Sequence, residues 1–150
     1  MSTDLVRFIA DLSNRWRNRS SSSPPRHLRL GTRGENLACR FLRRNGYKIL
    51  YRNFRGRTGG EIDVVCRERD TLVFVEVKTR TREDFGRPFE AIDRDKRKRI
   101  SRGGLAWLRL LDDPDILFRF DVVEVIIAEG TEPRFELIQN AFSLPEPYIY

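Results

Sequence analysis

Histidine and cysteine are scarce in this 150-residue chain, which contains one histidine and two cysteines. The histidine, His27, lies beside a Ser/Pro stretch, which argues against a His-ligated zinc site or a Ser-His-Asp triad. Cys39 and Cys66 have no metal-ligand spacing and do not resemble a disulfide framework, so we expect a reduced, cytoplasmic location. Carboxylates, lysine and a hard metal ion remain as catalytic groups.

Long apolar runs are also absent. No window approaches the roughly 18 apolar residues that a membrane span needs. Charged residues such as Asp4, Arg7 and Asp11 interrupt the N-terminal segment, which therefore lacks the apolar core of a signal peptide. We expect a soluble protein with no membrane span.

Positive charge is in excess, with 29 Lys and Arg against 22 Asp and Glu, a net charge of +7. This excess favours a polyanionic partner such as nucleic acid. The length suits one packed domain, which we assign to residues 31–150. Residues 1–30 are predicted to form an N-terminal amphipathic helix followed by a Ser/Pro linker.

Apolar periodicity and turn residues predict a mixed α/β fold in the order αβββαββ. Its first helix is expected from about Thr32 to Asn45, with Thr32 and Glu35 forming a capping box. The other predicted elements are a strand starting at Tyr47, strands at 61–68 and 71–79, a loop at Arg82–Pro88, a helix at about Asp93–Leu111 weakened by Gly103 and Gly104, and strands at Ile116–Ala128 and Phe135–Phe142.

Two carboxylates and a lysine lie on the two adjacent central strands. Glu76 and Lys78 share one face of a strand because strand side chains alternate, and a hairpin brings Asp63 beside them. Charges in such apolar strands cost several kcal/mol unless they are paired or coordinated. Asp63 and Glu76 are the oxygen ligands that Mg²⁺ or Mn²⁺ prefers. The alternative is a cross-strand ion pair on a solvated face, which the apolar residues around Glu76 disfavour.

The ordered blocks of the sequence resemble a known family. They include Gly34-Glu35, Gly46-Tyr47, Gly60-Glu-Ile-Asp63, Phe74-Val-Glu-Val-Lys78, Arg80, Lys96, Arg119-Phe-Asp121-Val and Asn140-Ala-Phe142. Over residues 31–142 the chain resembles the YraN-type family of uncharacterised bacterial proteins. The spacing of Asp63, Glu76 and Lys78 is similar to that of the PD-(D/E)xK nucleases, whose restriction-endonuclease-like fold has a central mixed sheet of about five strands flanked by helices.

The resemblance implies a Mg²⁺-dependent nuclease site similar to that of archaeal Holliday junction resolvases. It implies that the backbone carbonyl of Val77 is a further metal ligand, and that Glu35 contacts metal-bound water or a second metal. The capping box is a complete alternative explanation of Glu35. Lys78 beside a cation would either accept a proton or orient water and offset phosphate charge.

Basic side chains are expected to contact phosphates. Residues 94–102 hold six cations, which would make affinity fall with salt, although such a run is also typical of a solvated helix face. The predicted nucleic-acid-binding residues are Arg43, Arg44, Arg55, Arg57, Arg80, Lys96, Arg97 and Arg99. Asp121 is expected to pair with Arg119 or Arg80.

The sequence thus favours a metal-dependent endonuclease acting on branched or structured DNA, and a homodimer is compatible with that activity. A noncatalytic nucleic-acid-binding or scaffold protein with a nuclease-like fold is the second interpretation. The third is a protein-interaction module in which the N-terminal helix docks on a partner or an anionic membrane. Glu61 shares the face of Asp63 by period two but is interpreted as bordering the turn.

Overall fold

The computed structural model of the protein describes residues 25–81, 92–111 and 115–144. The predicted N-terminal helix and most of its linker lie outside the described residues, as does the predicted loop Arg82–Pro88. In the described parts of the chain, no helix is both long and apolar enough to cross a membrane.

The first helix, α1, spans Arg26–Arg44. It begins six residues before the predicted Thr32, because Pro25 precedes it and the apolar face continues back to Leu30, which packs on the core. The predicted capping box is wrong, since Thr32 lies inside the helix and its hydroxyl donates to the carbonyl of Leu28 at 2.9 Å. The expected domain boundary after residue 30 falls within α1.

A five-stranded mixed sheet forms the centre of the fold. Its strands are β1 (Lys48–Arg55), β2 (Glu61–Glu68), β3 (Thr71–Arg80), β4 (Phe118–Ile126) and β5 (Arg134–Phe142), in that spatial order. Neighbours are antiparallel except β3 and β4, which run parallel and are joined through helix α2 (Arg94–Leu111). The predicted mixed fold and the order αβββαββ are confirmed.

One helix covers each face of the sheet, so the central strands are apolar on both sides. Ala38 and Leu42 of α1 pack with Val64, Val73 and Val123 on one face. The opposite face packs against α2 through a cluster rich in aromatic rings, whose members include Phe54, Phe74, Ile100, Trp107, Leu108 and Phe120.

The two glycines that are expected to weaken α2 also allow it to pack closely on the sheet. A Cβ at Gly103 would lie 3.0 Å from the backbone N of Glu61, and one at Gly104 would lie 3.0 Å from the Phe120 ring. Gly60, with φ of 91°, approaches the backbone of Gly103 from the β1–β2 turn. The close contact holds α2 against the start of β2, which carries Glu61 and Asp63.

A buried ion pair fixes the far end of the sheet. The Arg119 Nε donates to Asp121 Oδ1 at 2.9 Å, and its Nη2 donates to Glu68 at 2.8 Å. Asp121 also accepts a hydrogen bond from the backbone N–H of Asn140 at 2.8 Å, and the hydroxyl of Tyr47 donates to the Asp121 carboxylate. The predicted pairing of Asp121 with Arg119 is confirmed; its buried carboxylate is satisfied on several sides, as a structural role requires.

Helix α1 lies very close to β3 at Gly34, because a Cβ at this position would overlap the side chain of Thr79. We expect Gly34→Ala to lower the free energy of unfolding by about 1–3 kcal/mol through overpacking. Gly31→Ala is the matched control: nothing lies within 4 Å of its Cβ, and alanine there should stabilise α1 by up to ~1 kcal/mol. Urea unfolding measures both; equal stabilities would contradict the close helix–sheet contact.

Candidate metal and phosphate site

The site forms where β2 and β3 separate. Their ladder runs from Glu68 opposite Thr71 to Val64 opposite Val75, and beyond it β2 continues along β1 while β3 continues along β4. At this fork the Asp63 Oδ2 accepts the backbone N–H of Val77 at 2.8 Å. A side-chain carboxylate thus binds a backbone group of the neighbouring strand, which fixes its orientation.

Glu76 lies in the fork beside Asp63 and is 6% exposed. Its Oε1 lies 2.9 Å from the Nζ of Lys96 on α2. Within the described parts of the chain, its buried Oε2 has no hydrogen-bond donor when both carboxylates are ionised. A shared proton or a bound cation would satisfy this oxygen, since a buried ionised oxygen without a partner is costly.

The two carboxylates shift each other's titration. Burial raises the pKa of Glu76, and the charge of Asp63 raises it further, to about 8, in spite of Lys96. Burial also raises the pKa of Asp63, against the opposing effects of the Val77 N–H and Lys96. A pair of close carboxylates with raised pKa values holds a proton where a divalent cation would otherwise bind.

Glu35 approaches Asp63 from α1. Its Oε2 accepts from the Asn53 amide at 3.2 Å and lies 3.8 Å from the Arg52 guanidinium. Burial raises the pKa of Glu35, and the negative charge of Asp63 contributes to that rise. Asn53, with φ of 53°, lies opposite Asp63 on β1, since its neighbours Arg52 and Phe54 pair with Val64 and Ile62. The structure therefore brings Glu35 within electrostatic range of Asp63, and Asp63 beside Glu76.

Lys78 is half-buried at the next position on the face of Glu76. Among the described residues none forms a hydrogen bond or ion pair with its ammonium group. Val77, the predicted carbonyl ligand, contributes its N–H to Asp63, and its carbonyl role stays a prediction.

The described residues contain no cluster of three or more His, Cys, Asp or Glu side chains arranged to hold a metal ion by themselves. Mg²⁺, however, is commonly held by one or two carboxylates, with waters and substrate phosphates completing its shell. The Asp63–Glu76 pair and the unsatisfied Glu76 Oε2 fit such a site.

The predicted phosphate-binding residues are spread over the molecule. Exposed Arg55 and Arg57 lie in or beside the β1–β2 turn, at the site end of the sheet, and Arg99 lies 3.9 Å from Glu61. Arg80 pairs with Glu124. The other placements are Arg97 over the Phe142 ring, and exposed Arg43 and Arg44 in the last turn of α1, at the opposite end of the sheet from Asp63.

Sequence reasoning missed how Lys96 and Glu61 take part in this site. The Lys96 Nζ lies 3.3 Å from Glu61 Oε1 as well as 2.9 Å from Glu76. The signal was present in the sequence, because Lys96 precedes Ile100 by four residues and Gly103 by seven. That spacing places it on the sheet-facing stripe of α2 and not on the solvated face.

Comparisons with known proteins identify relatives of this chain. The profile of the uncharacterised protein family UPF0102 matches residues 34–125. A UPF0102 protein of Geobacter sulfurreducens is 49% identical over 115 residues, covering 77% of this chain and 89% of the relative. Another from Geobacter metallireducens is 49% identical, covering 77% and 93%, and one from Rhodococcus opacus is 43% identical, covering 77% and 98%. The family predicted from the sequence blocks is confirmed.

Glu76 should make the stability of the metal-free protein depend on pH. Because its folded pKa is about 8, the stabilisation from its protonated form is present in full below its ordinary value of 4.5. It declines as pH rises, by up to ~1.4 kcal/mol per pH unit, and is lost above about 8. We expect Glu76→Gln to reduce this decline, as measured by urea unfolding between pH 5 and 8 with chelator.

The control for this experiment is Glu136→Gln, the same substitution at an exposed position of β5. Its unfolding free energies should run parallel to those of the wild type. Parallel curves for Glu76→Gln and the wild type would instead show that Glu76 does not hold a proton in the folded state.

Proposed function

The chain belongs to the uncharacterised protein family UPF0102, and from its paired carboxylates we propose that it is a metal-dependent nuclease. The proposed substrate is DNA, with branched or structured forms as the favoured class from the resemblance to junction resolvases. The observation that carries the proposal is the pair of half-buried Asp63 and buried Glu76 in a fork between two strands, where Glu76 Oε2 has no hydrogen-bond partner among the described residues.

Phosphodiester hydrolysis needs an activated water, in-line attack on phosphorus and stabilisation of charge on the leaving oxygen. Asp63 and Glu76 would hold Mg²⁺ or Mn²⁺, and Glu35 would contact a water molecule beside them. When bound, the cation would supply charge stabilisation and lower the pKa of water at the phosphate. The Val77 N–H fixes the Asp63 carboxylate in place.

Lys78 is the remaining catalytic residue in the proposal. Its half-buried position on the face of Glu76, with no ion pair to another described residue, leaves its ammonium available to a substrate. It would either accept a proton from water or offset charge on the phosphate. Both roles act on the rate of cleavage, and neither is needed to hold the cation.

The net charge of +7 supports a polyanionic substrate. Arg55, Arg57 and Arg99 are exposed near the site and would contact the backbone on either side of the scissile phosphate. Free, buried Cys39 and Cys66 are in keeping with a reduced, cytoplasmic location.

A noncatalytic nucleic-acid-binding protein is the second candidate. It is favoured by the Lys96–Glu76 ion pair, which partly compensates the buried carboxylate without any metal. The two candidates differ in metal dependence, because a binder requires only its basic surface.

We expect the wild type to cleave one or more members of a panel of four-way junction, flap, single-stranded and duplex DNA with Mg²⁺ or Mn²⁺, and not with chelator. Asp63→Asn should lower the cleavage rate by ~100-fold or more through loss of a charged ligand. Asp70→Asn is the matched control, since Asp70 is exposed in the β2–β3 turn. Salt-sensitive binding without products, unchanged by Asp63→Asn, would support the noncatalytic binder.

Lys78→Ala should separate catalysis from metal binding. We expect the cleavage rate to fall by ~100-fold or more while Mn²⁺ affinity stays within about twofold of the wild type. Lys48→Ala, at an exposed position on the far end of β1, is the control for loss of one positive charge. Cleavage at the parental rate by Lys78→Ala, measured under single-turnover conditions, would remove Lys78 from the mechanism.

A further inference from the structure

Lys96 occupies the position of a cation within the carboxylate cluster. Its Nζ lies 2.9 Å from Glu76 Oε1 and 3.3 Å from Glu61 Oε1, and its side chain is only 22% exposed. Although burial lowers its pKa, the charges of Glu76, Asp63 and Glu61 raise that pKa overall, so the group is an ammonium at neutral pH. An ammonium between carboxylates is the arrangement expected where a site must be neutralised.

The helix holds this ammonium in place through backbone packing. Lys96, Ile100 and Gly103 share the sheet-facing stripe of α2, and Gly103 contacts Glu61 and the Gly60 turn. The backbone N–H of Lys96 also donates to Asp93 Oδ1 at 2.7 Å, which caps the start of α2. The Lys96 side chain is therefore directed at the fork by the fold and not by a flexible segment.

A single ammonium leaves the site incompletely neutralised. Lys96 contacts one oxygen of Glu76, and the second oxygen, Oε2, has no donor among the described residues. Three carboxylates, those of Asp63, Glu76 and Glu61, therefore surround one ammonium, and the exposed guanidinium of Arg99 lies 3.9 Å from Glu61 only. A divalent cation held by Asp63 and Glu76 would supply the missing charge, and it would repel an ammonium group on the same carboxylate.

We propose that Lys96 is a tethered cation that competes with the divalent metal ion for Glu76. This inference rests on the proposed metal-dependent function. Metal binding displaces the ammonium from Glu76, and Glu61 retains it beside the fork, where it faces the substrate phosphate. Lys96 thereby weakens the metal affinity of the free protein. It also partly neutralises the carboxylate pair when no metal is bound.

Direct titration of the full chain with Mn²⁺ by calorimetry tests the proposal without a cleavage assay. Lys96→Met removes the charge and keeps the apolar stem, so we expect Mn²⁺ to bind about tenfold more tightly than to the wild type. Lys96→Gln is a second neutral variant whose amide still donates to Glu76, and we expect the same direction. Lys96→Arg, which keeps the charge, should remain near the wild-type affinity.

The matched control is Lys98→Met on the same helix, whose side chain is 50% exposed and lies 4.0 Å from Asp95. It should leave Mn²⁺ affinity unchanged, which separates local competition from the general loss of one positive charge. Thermal unfolding with chelator verifies that each variant is folded before titration.

The outcomes distinguish this inference from the function on which it rests. Unchanged or weaker Mn²⁺ binding by both neutral variants, with binding abolished in Glu76→Gln, would overturn the competition and leave the metal site standing. Absence of Mn²⁺ binding in the wild type and in both neutral variants would overturn the competition and the metal-dependent function together. Binding by the neutral variants but not by the wild type would support the competition in its strongest form.

Discussion

The organisation of this molecule depends on the cost of withdrawing two adjacent carboxylates from water, with Asp63 half-buried and Glu76 buried. Asp63 and Glu76 lie where β2 and β3 separate, and the β2–β3 ladder ends at the preceding residue pair. Asp63 compensates its burial with the backbone N–H of Val77, whereas Glu76 depends on Lys96 and on a proton or cation at its second oxygen. Helix α2 supplies the compensating ammonium of Lys96, whereas α1 adds a third carboxylate, Glu35, whose pKa is raised in part by the charge of Asp63.

The strands and the second helix were predictable from sequence because their signals are local. Apolar runs covered on both faces, turn residues and helical spacing placed β2, β3 and α2 within one or two residues of their observed bounds. The start of α1 was not, because the Thr32-to-Glu35 pattern of a capping box also occurs inside a helix. Only the preceding Pro25 and the packing of partly buried Leu30 on the core show that the helix begins earlier.

The carboxylates of the site were also predictable from local sequence. Asp63 and Glu76 interrupt two apolar segments that were predicted to be neighbouring strands. The position of Lys96 depends instead on tertiary packing, because Gly60 and Gly103 decide how close α2 comes to β2. The run of cations at 94–102 suggested phosphate contact or a solvated helix face, whereas the spacing of Lys96 to Ile100 points to the sheet. Where a run of charged residues overlaps the apolar face of a helix, the cation in register with that face points towards the sheet.

The contrast between Lys78 and Lys96 follows from where each ammonium stands relative to the fork. Lys96 extends from helix α2, and its ammonium lies 2.9 Å from the Glu76 carboxylate. It therefore partly neutralises the site and opposes the binding of a metal ion. Lys78 lies on the same strand as Glu76, two residues further along, and forms no ion pair with another described residue. A phosphate that brought its own negative charge to the fork would therefore meet one ammonium already engaged and another still available. The ammonium of Lys78 can therefore attract a polyanion that the carboxylates alone would repel.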